Sequence, residues 1–498
     1  MLARHTAFYF LANAFSAVFG LVNVVVFTRF FAADAFGDYL LGFAFATVFA
    51  TFLSSAIKLS ILRDQARGDG TDVRPSALAA LLLCCLALPL GYVAARLANL
   101  APAIAIASIG LTIAIAVYDT SQEVLRAEQK AVSVMRGTVV RAVLVSGLGI
   151  TFTLFGRTGA LLLASMSIAY LLATLTFWRA AWGAARPRFE AARLFEIVRS
   201  GFPLTISLSL LSLSAMTDRF LLANLVGVSA AGQFGASLDI VRQSLIIPAI
   251  SIATAFVPMT VRLLATRGAP DARAHLEKYL EILLAATLPA CVGLAIVAPQ
   301  VAALVLGPNF RAVSHGAMPV FAAALLFQIL TQQYFHTSFL LSNRTGFYLA
   351  NTGSIIVWNL VASYVLISHF GVMGAVWGRL ATEVFGCLNA LLLSRFAFAM
   401  PFPLRRIARV VAATAAMGFV VAVLENATAE FGPMALVVLV PAGAAVYAAA
   451  GWLLDIGDLR AVSRGLAQKL LRSTRSPLDR GAGRGAAKLA AKALRRVG

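Results

Sequence analysis

The stretch FTRFFAADAFGDYLLGFAFATVFATFLSSAIKLSILR, from Phe27 to Arg63, joins the end of one apolar segment to a complete second one. A short charged turn after Arg29 is followed by an apolar run of about 20 residues, the length that crosses a hydrocarbon core about 30 Å thick. The same alternation continues on both sides and predicts an all-α polytopic membrane protein with roughly 14 helices. The predicted helices start near Phe8, Asp38, Ser76, Ala101, Gly137, Thr158, Gly201, Phe234, Leu280, Gly316, Phe347, Val372, Ile407 and Pro433.

The cationic residues indicate the direction of these crossings. With the N-terminus inside, about 33 of the 41 Lys and Arg residues fall on one side and about 5 in loops of the other. Without the basic tail the ratio is still about 22 to 5. We therefore predict a multi-pass protein of the cytoplasmic (inner) membrane with both termini cytoplasmic.

The composition excludes several other classes of protein. Hydrophobic residues make up 60% of the 498 residues and charged residues 12%, whereas soluble domains carry about 25% charge. The formal charge of +20 is spread over loops of one face, where it meets anionic lipid, and no nucleic-acid-binding module is present. We expect no metal, cofactor or disulfide framework, because every cysteine falls inside a predicted helix. The four are Cys84, Cys85, Cys291 and Cys387.

Two pairs of segments recur in the same order along the chain. TRFFAADAFGDY (Thr28 to Tyr39) matches DRFLLANLVGVSAAGQF (Asp218 to Phe234), and FGRTGA (Phe155 to Ala160) matches FGVMGA (Phe370 to Ala375). Each match alone is typical of a tight glycine turn between helices. Together they favour a duplication of six helices, which gives parallel repeats with a substrate site between them.

This duplication predicts the domain organisation. We expect an N-terminal six-helix lobe over 1–180, a cytoplasmic linker over 181–200, and a C-terminal six-helix lobe over 201–397. Helices 13 and 14 occupy 398–457, outside the repeat. A basic cytoplasmic tail over 458–498 is predicted to lie on anionic lipid headgroups.

Three segments of the chain resemble a known family. They are the opening stretch, AFVPMT (Ala255 to Thr260) and VLGPNFRAVSHGAMPVF (Val305 to Phe321). They resemble the polysaccharide biosynthesis flippases, in the superfamily that also holds the multidrug and toxin exporters and the lipid II flippase. The resemblance implies two six-helix lobes around a central cavity. It also implies that an isoprenoid-diphosphate-linked oligosaccharide is moved from the inner to the outer leaflet for lipopolysaccharide, capsule or exopolysaccharide synthesis.

Charged residues inside the predicted helices are candidates for the transport path, because each costs about 2.5 to 3.5 kcal/mol at the bilayer centre. Asp239 and Arg242 lie on one face of helix 8, and Arg379 and Glu383 share a face of helix 12. Two interpretations are open. The pairs either neutralise themselves and pin neighbouring helices, or the arginines attract a diphosphate while the acids carry coupling protons or sodium.

Further candidates lie nearer the helix ends. Arg29 and Arg219 hold equivalent positions in the two repeats, and Asp218 beside Arg219 is a third candidate for ion coupling. The two arginines either snorkel to the outer interface or contact substrate there. Lys58 and Arg141 are predicted within about one turn of the cytoplasmic surface. Snorkelling is expected for both, with an entering diphosphate as the alternative partner of Lys58.

A polar stripe marks predicted helix 10. Gln328, Gln332 and His336 recur every four residues, and lipid would leave these groups without hydrogen-bond partners. The stripe is therefore expected to face the interior. It serves either hydrogen bonds between helices or recognition of sugar hydroxyls, with Tyr334 or Phe335 as a stacking ring.

We expect a transporter and not an enzyme. The chain has no G-x-x-x-x-G-K-[ST] phosphate loop, which argues against an ATP-driven pump. A polysaccharide polymerase or ligase is one alternative, with Asp34 and Asp38 of the first outer loop as its acidic pair. An exporter of cationic drugs from the same superfamily is the other. The expected partners are the lipid-linked oligosaccharide, anionic lipid and other polysaccharide-assembly proteins.

Overall fold

The computed structural model describes residues 2–67, 72–342 and 344–460. These residues are helical almost throughout and contain no β-strand. Most of the predicted basic tail, residues 461–498, lies outside the described residues. The prediction of an all-α protein is confirmed.

The first half of the chain forms eight helices. A 3-10 turn at Cys85–Ala87 joins the third and fourth of these into one bent rod. The helices are α1 (Leu2–Phe30), α2 (Ala33–Arg67), α3 (Arg74–Cys84), α4 (Leu88–Leu97), α5 (Pro102–Ala127), α6 (Ala131–Phe152), α7 (Gly159–Leu175) and the short α8 (Trp178–Trp182).

The second half repeats this pattern of long antiparallel rods with two interruptions. A π-helix at Leu330–Phe335 joins α13 to α14, and α15 is broken at Gly371, whose φ of 57° is a left-handed conformation that glycine adopts readily. The helices are α9 (Ala191–Leu225), α10 (Val228–Arg267), α11 (Ala269–Ile296), α12 (Ala298–Val305), α13 (Pro308–Ile329), α14 (His336–Leu341), α15 (Thr345–Ser394), α16 (Leu404–Ala427) and α17 (Leu436–Leu453).

Ten of the described helical segments are long and apolar enough to cross a membrane, judged by length and composition. Two shorter apolar helices, Phe15–Phe30 and Gly159–Leu175, accompany them. One of the ten, Gly346–Ser394, contains the break at Gly371 and so includes two of the predicted segments. The fold is that of a multi-pass membrane protein, while the predicted number of 14 crossings stays a prediction.

The end of the molecule that carries the connections 31–32 and 226–227 is called the RF end here, after the Arg-Phe pairs that precede them. The α1–α2 connection is only two residues long, because α2 already begins at Ala33. Asp34 and Asp38 therefore lie inside α2 and not in an outer loop, which corrects that prediction. Asp34 occupies the first helical turn, where a carboxylate is favoured by the helix dipole.

The two halves of the chain contact each other at the RF end through three glycines. A Cβ on Gly37 would overlap the carbonyl of Val228, one on Gly232 would overlap the carbonyl of Ala33, and one on Gly307 would overlap the carbonyl of Thr28. The hydroxyl of Thr28 also accepts a hydrogen bond from the backbone N–H of Gly307, at 3.3 Å. These approaches close the RF end backbone to backbone.

The opposite end is called the linker end here, because it carries residues 183–190 before α9. There α2 packs against α9: Arg193 forms an ion pair with Asp64 at 3.3 Å, and Arg63 donates to the carbonyl of Ser200 at 3.4 Å. Gly201 lies directly against Ala56. The halves therefore contact each other at both ends, and polar cavities remain between and beside them.

The apolar core joins the first two helices to the second half of the chain. Phe36 of α2 packs edge to face on Phe310 of α13, with ring centroids 5.5 Å apart, and both side chains are buried. A second cluster fills the first half around Leu111, Leu125 and Trp182. The predicted lobe boundaries stay a prediction, since α1 and α2 belong by packing to both halves.

Candidate functional site

A polar cavity of about 420 Å³ lies among α9, α13 and α15, and is called the α15 cavity here. Its lining includes the predicted stripe, Gln328, Gln332 and His336, together with Arg379 and Glu383. The stripe thus faces the interior of the protein, as predicted. The sequence did not predict that the stripe and the charged pair of α15 line the same cavity, because the stripe and the pair lie on different helices.

The π-helix at Leu330–Phe335 shapes this cavity. Its wider turn breaks the regular α-helical hydrogen-bond ladder, and the carbonyl of Gln333 accepts a hydrogen bond from the hydroxyl of Tyr279 at 2.7 Å. Gln332 itself is exposed to the cavity. Single π-turns are frequent at functional sites. No feature of the sequence indicates this one.

A chain of amides sets the donor and acceptor roles of His336. Nδ2 of Asn389 donates to Oδ1 of Asn351 at 2.8 Å, and Nδ2 of Asn351 lies 3.0 Å from Nε2 of His336. Because Nδ2 of Asn351 can only donate, Nε2 of His336 accepts, and the ring proton is then on Nδ1. His336 is thereby held as a neutral ring that offers an N–H donor.

Arg379 lies between two acids from different helices. Its Nη2 is 2.6 Å from Glu383, and its Nη1 is 3.7 Å from Asp218 of α9. Asp218 also accepts hydrogen bonds from Asn359 at 3.0 Å and Ser363 at 2.8 Å. The self-neutralising pair predicted on α15 is therefore a triad that pins α9 to α15. Sequence spacing did not reveal the third member.

Of the two interpretations left open for Asp239 and Arg242 of α10, the structure does not show the self-neutralising pair. Asp239 binds Arg219 of α9 at 2.7 Å and does not pair with Arg242 of its own helix. Arg219 is buried at 5% exposure, so it does not snorkel to an interface. The geometry differs from the prediction because α9 approaches α10 on the face that carries Asp239.

The equivalent arginine of the first repeat has a different role. Arg29 is exposed and donates to the carbonyl of Leu304, in the last turn of α12. A cation at a helix C-terminus is favoured by the helix dipole. The sequence equivalence of Arg29 and Arg219 therefore does not extend to their contacts.

Arg242 is exposed although charged residues surround it. It lies within electrostatic range of Asp239 and Arg219 on one side and of Arg379 and Glu383 on the other. Within the described part of the chain it forms no ion pair. Arg242 is thus an exposed residue near the charged groups of α9 and α15.

A second cavity, of about 190 Å³, lies among α1, α2, α6, α7 and α10, and is called the α6 cavity here. Arg141 lines it and donates to the hydroxyl of Tyr170 at 2.7 Å and to Ser16 at 3.2 Å. The rings of Tyr118 and Tyr170 lie 5.3 and 5.1 Å from its guanidinium carbon, a cation–π arrangement.

The position of Arg141 corrects its predicted place near the membrane surface. The helix was expected to begin at Gly137, but α6 begins at Ala131, so Arg141 lies near its middle. The prediction missed the residues of α6 that precede Gly137, which include Ser133 and Arg136. Lys58 is partly exposed on α2, which continues past it to Arg67, and lies in electrostatic range of Asp119.

Neither cavity lining carries excess positive charge. The α15 cavity is lined by Arg379 and Glu383, and the α6 cavity by Arg141 and Asp239. Arg242 lines neither of these two cavities. The described residues include no group of three or more His, Cys, Asp or Glu side chains that could hold a metal ion.

Comparison with solved structures identifies the fold. The lipid II flippase MurJ, in an inward closed conformation, has a TM-score of 0.73 at 12% identity, over 90% of this chain and 99% of its own. A multidrug resistance MATE family transporter of the MOP superfamily, in an inward-facing conformation, has a TM-score of 0.60 at 18% identity, over 79% and 94%. The first is a flippase and the second a transporter, and at these identities the likeness shows a shared fold.

Sequence comparison gives the family. Among curated proteins, no sequence matches this chain. The family model described as polysaccharide biosynthesis protein matches residues 2–264, more than half of the 498 residues. This match includes the opening stretch with its Arg-Phe turn, α10 up to AFVPMT, and Arg141, Arg219 and Arg242. The chain belongs to the polysaccharide biosynthesis protein family, and its fold is that of the MurJ-like flippases.

Proposed function

We propose that this protein flips an isoprenoid-diphosphate-linked oligosaccharide across the cytoplasmic membrane by alternating access, for the synthesis of a cell-surface polysaccharide such as lipopolysaccharide, capsule or exopolysaccharide. The family and the MurJ-like fold support the general class of this proposal.

The observation that carries the proposal is Arg242. It is an exposed residue in the first half of the long helix α10, and among the described residues it forms no ion pair with a carboxylate. An intramembrane charge of this kind is costly unless it meets water, an acid or a ligand. A guanidinium matches the oxygens of a phosphate group in both charge and geometry. Arg242 is therefore our candidate contact for the diphosphate.

The α15 cavity suits the sugar part of such a cargo. Its lining offers amide groups at Gln328 and Gln332 and the ring of His336, whose N–H remains a donor. Oε1 of Gln328 is buried without a hydrogen-bond partner in the described structure. An unsatisfied acceptor next to a polar cavity favours a ligand with hydroxyl groups.

Alternating access would result if the contacts at the RF end and those at the linker end opened in turn. The RF end is closed by the glycine contacts at Gly37, Gly232 and Gly307, and the linker end by the pairs of α2 with α9. With the RF end outside, as the charge distribution predicts, a diphosphate moving outward is driven by the membrane potential. That drive is about 2.3 kcal/mol per charge per 100 mV.

Asp218, Asp239 and Glu383 are our candidates for ion coupling. Asp218 is 2% exposed, and Oδ1 of the neighbouring Asn359 is buried without a partner in the described structure. A bound proton or small cation would satisfy such a cluster of acceptors. Arg379 and Arg219 already compensate part of the negative charge, so coupling stays secondary to the membrane potential in this proposal.

Export of cationic drugs is the second candidate function. Its support is the similarity in fold to the MATE transporter and the presence of one acid in each cavity lining, Asp239 and Glu383. Each of these acids is bound by an arginine at 2.6 to 2.7 Å, which lowers its attraction for a cation. The pairing favours the first proposal.

Deleting the gene and finding the leaflet in which lipid-linked oligosaccharide accumulates tests the proposed function. A flippase predicts accumulation in the inner leaflet. Accumulation in the outer leaflet would instead assign the protein to polymerisation or ligation, and no accumulation would favour drug export. A plasmid copy of the wild-type gene serves as the control, because it must restore transport.

A further inference from the structure

The α6 cavity holds a charged group whose direct partners are all neutral. Arg141 contacts the hydroxyls of Tyr170 and Ser16 and two tyrosine rings, and its Nε is buried without a hydrogen-bond partner in the described structure. Hydroxyls and aromatic faces orient a guanidinium but do not neutralise it. Arg141 therefore retains both charge and donors for an anion in the cavity.

The nearby acids are already shared or bound. Asp119 is in electrostatic range of Lys58 and Arg141, and of Arg126, which itself forms an ion pair with Glu123 at 3.1 Å. Asp239, which lines the α6 cavity, has its Oδ1 bound to Arg219. Neither acid contacts Arg141 directly, and a negative ligand would still be favoured beside it.

The remainder of the lining selects among anions. Asn23 and Gln243 provide amides, Tyr39 provides a ring, and Asp239 provides a carboxylate oxygen that accepts hydrogen bonds from hydroxyl groups. A dianion would be repelled by Asp239. A ligand with a single carboxylate and several hydroxyl groups satisfies both the cation and the acid.

We infer that the α6 cavity binds an acidic sugar of the oligosaccharide, with the sugar carboxylate on Arg141 and sugar hydroxyls on Asp239, Asn23 and Gln243. This inference rests on the proposed function and specifies its substrate class. It also separates two sites along α10. Asp239 and Gln243, one turn apart, face the α6 cavity, whereas Arg242 lies within range of Arg379 and Glu383 and serves the diphosphate.

The test compares two synthetic lipid-diphosphate glycans that differ only in their terminal sugar, glucuronic acid or glucose. The full-length protein is reconstituted in proteoliposomes, and the flipping rate of each glycan is measured at low concentration. A charge-assisted hydrogen bond predicts a preference for the acidic glycan of about tenfold. Equal rates for the two glycans would overturn the inference and leave the flippase proposal intact, whereas flipping of neither would contradict both.

Two variants assign the preference to the cavity. Arg141→Gln removes the positive charge from the cavity. Gln243→Glu keeps Arg141 but places a competing carboxylate in the lining. Two variants are used so that a folding defect in one of them does not decide the outcome. Both are expected to lose the preference, which is measured as the ratio of the two flipping rates within each variant. Arg157→Gln is the matched control, because Arg157 also stacks on an aromatic ring, Phe30, but lies outside the cavity. A preference that persists in both variants would overturn the inference.

Discussion

The two cavities each contain one arginine, and the two arginines are held by opposite means. Arg379 in the α15 cavity lies between Glu383 and Asp218, both buried. Arg141 in the α6 cavity lies between two tyrosine rings and two hydroxyls. The first arrangement neutralises charge and ties two helices together, while the second leaves a cation able to bind a ligand. The same residue type is thus structural in one half and available in the other.

The largest effect on stability is expected at the α15 cavity. Arg379→Ala would leave Asp218 and Glu383 as buried carboxylates without a cation, a loss of about 3 to 5 kcal/mol in the free energy of unfolding. Thermal unfolding in detergent measures it. Neutralising the acids as well, with Asp218→Asn and Glu383→Gln, should restore most of the loss. An Arg379→Ala protein as stable as wild type would refute a structural role for this arginine.

The next largest effect is expected at the closed RF end. Gly307→Val would force α13 away from the carbonyl of Thr28 and destabilise the closed state by about 1 to 3 kcal/mol. A cysteine at the buried Ser314, in a protein without native cysteines, should then be labelled faster from the RF side. Gly346→Val is the control, since a Cβ on Gly346 meets no atom within 4 Å. Equal labelling of both variants would mean that Gly307 does not form part of a gate.

A smaller loss of stability is expected at the α6 cavity. Arg141→Gln removes two cation–π contacts but leaves no acid unpaired, so we expect a loss of about 1 to 2 kcal/mol. Thermal unfolding beside Arg379→Ala measures the difference directly. A loss as large as that of Arg379→Ala would show that Arg141 also has a structural counter-ion, and the contrast between the cavities would fail.

The fold was predictable because the length of each apolar run matches the thickness of the bilayer. The apolar windows and the two Arg-Phe turns indicated an all-helical membrane protein, and the turns do lie where the two halves contact each other. Helix ends were less predictable. Arg136 interrupts the apolar pattern of α6, so the residues before Gly137 were missed and Arg141 was placed near the surface.

The sequence predicted several residues that line the site but not the residues with which they pair. Periodicity on one helix placed Gln328, Gln332 and His336 together, because side chains four residues apart share a face. Contacts between helices leave no such trace in the sequence. The pairs Arg219–Asp239 and Arg379–Asp218 depend on how α9 is rotated against its neighbours, and the π-turn depends on packing against Tyr279.

Outward flipping of a labelled lipid-diphosphate glycan, measured in proteoliposomes that contain Arg242→Ala, tests whether Arg242 contacts the diphosphate. Because Arg242 is exposed and has no ion pair among the described residues, we expect the free energy of unfolding of the variant to lie within about 0.5 kcal/mol of the wild-type value. Its flipping rate should fall about tenfold or more, from loss of a charge-assisted contact to phosphate. Arg262→Ala, which removes another exposed arginine of α10, should flip at the wild-type rate. Wild-type flipping by Arg242→Ala would contradict the proposed diphosphate site.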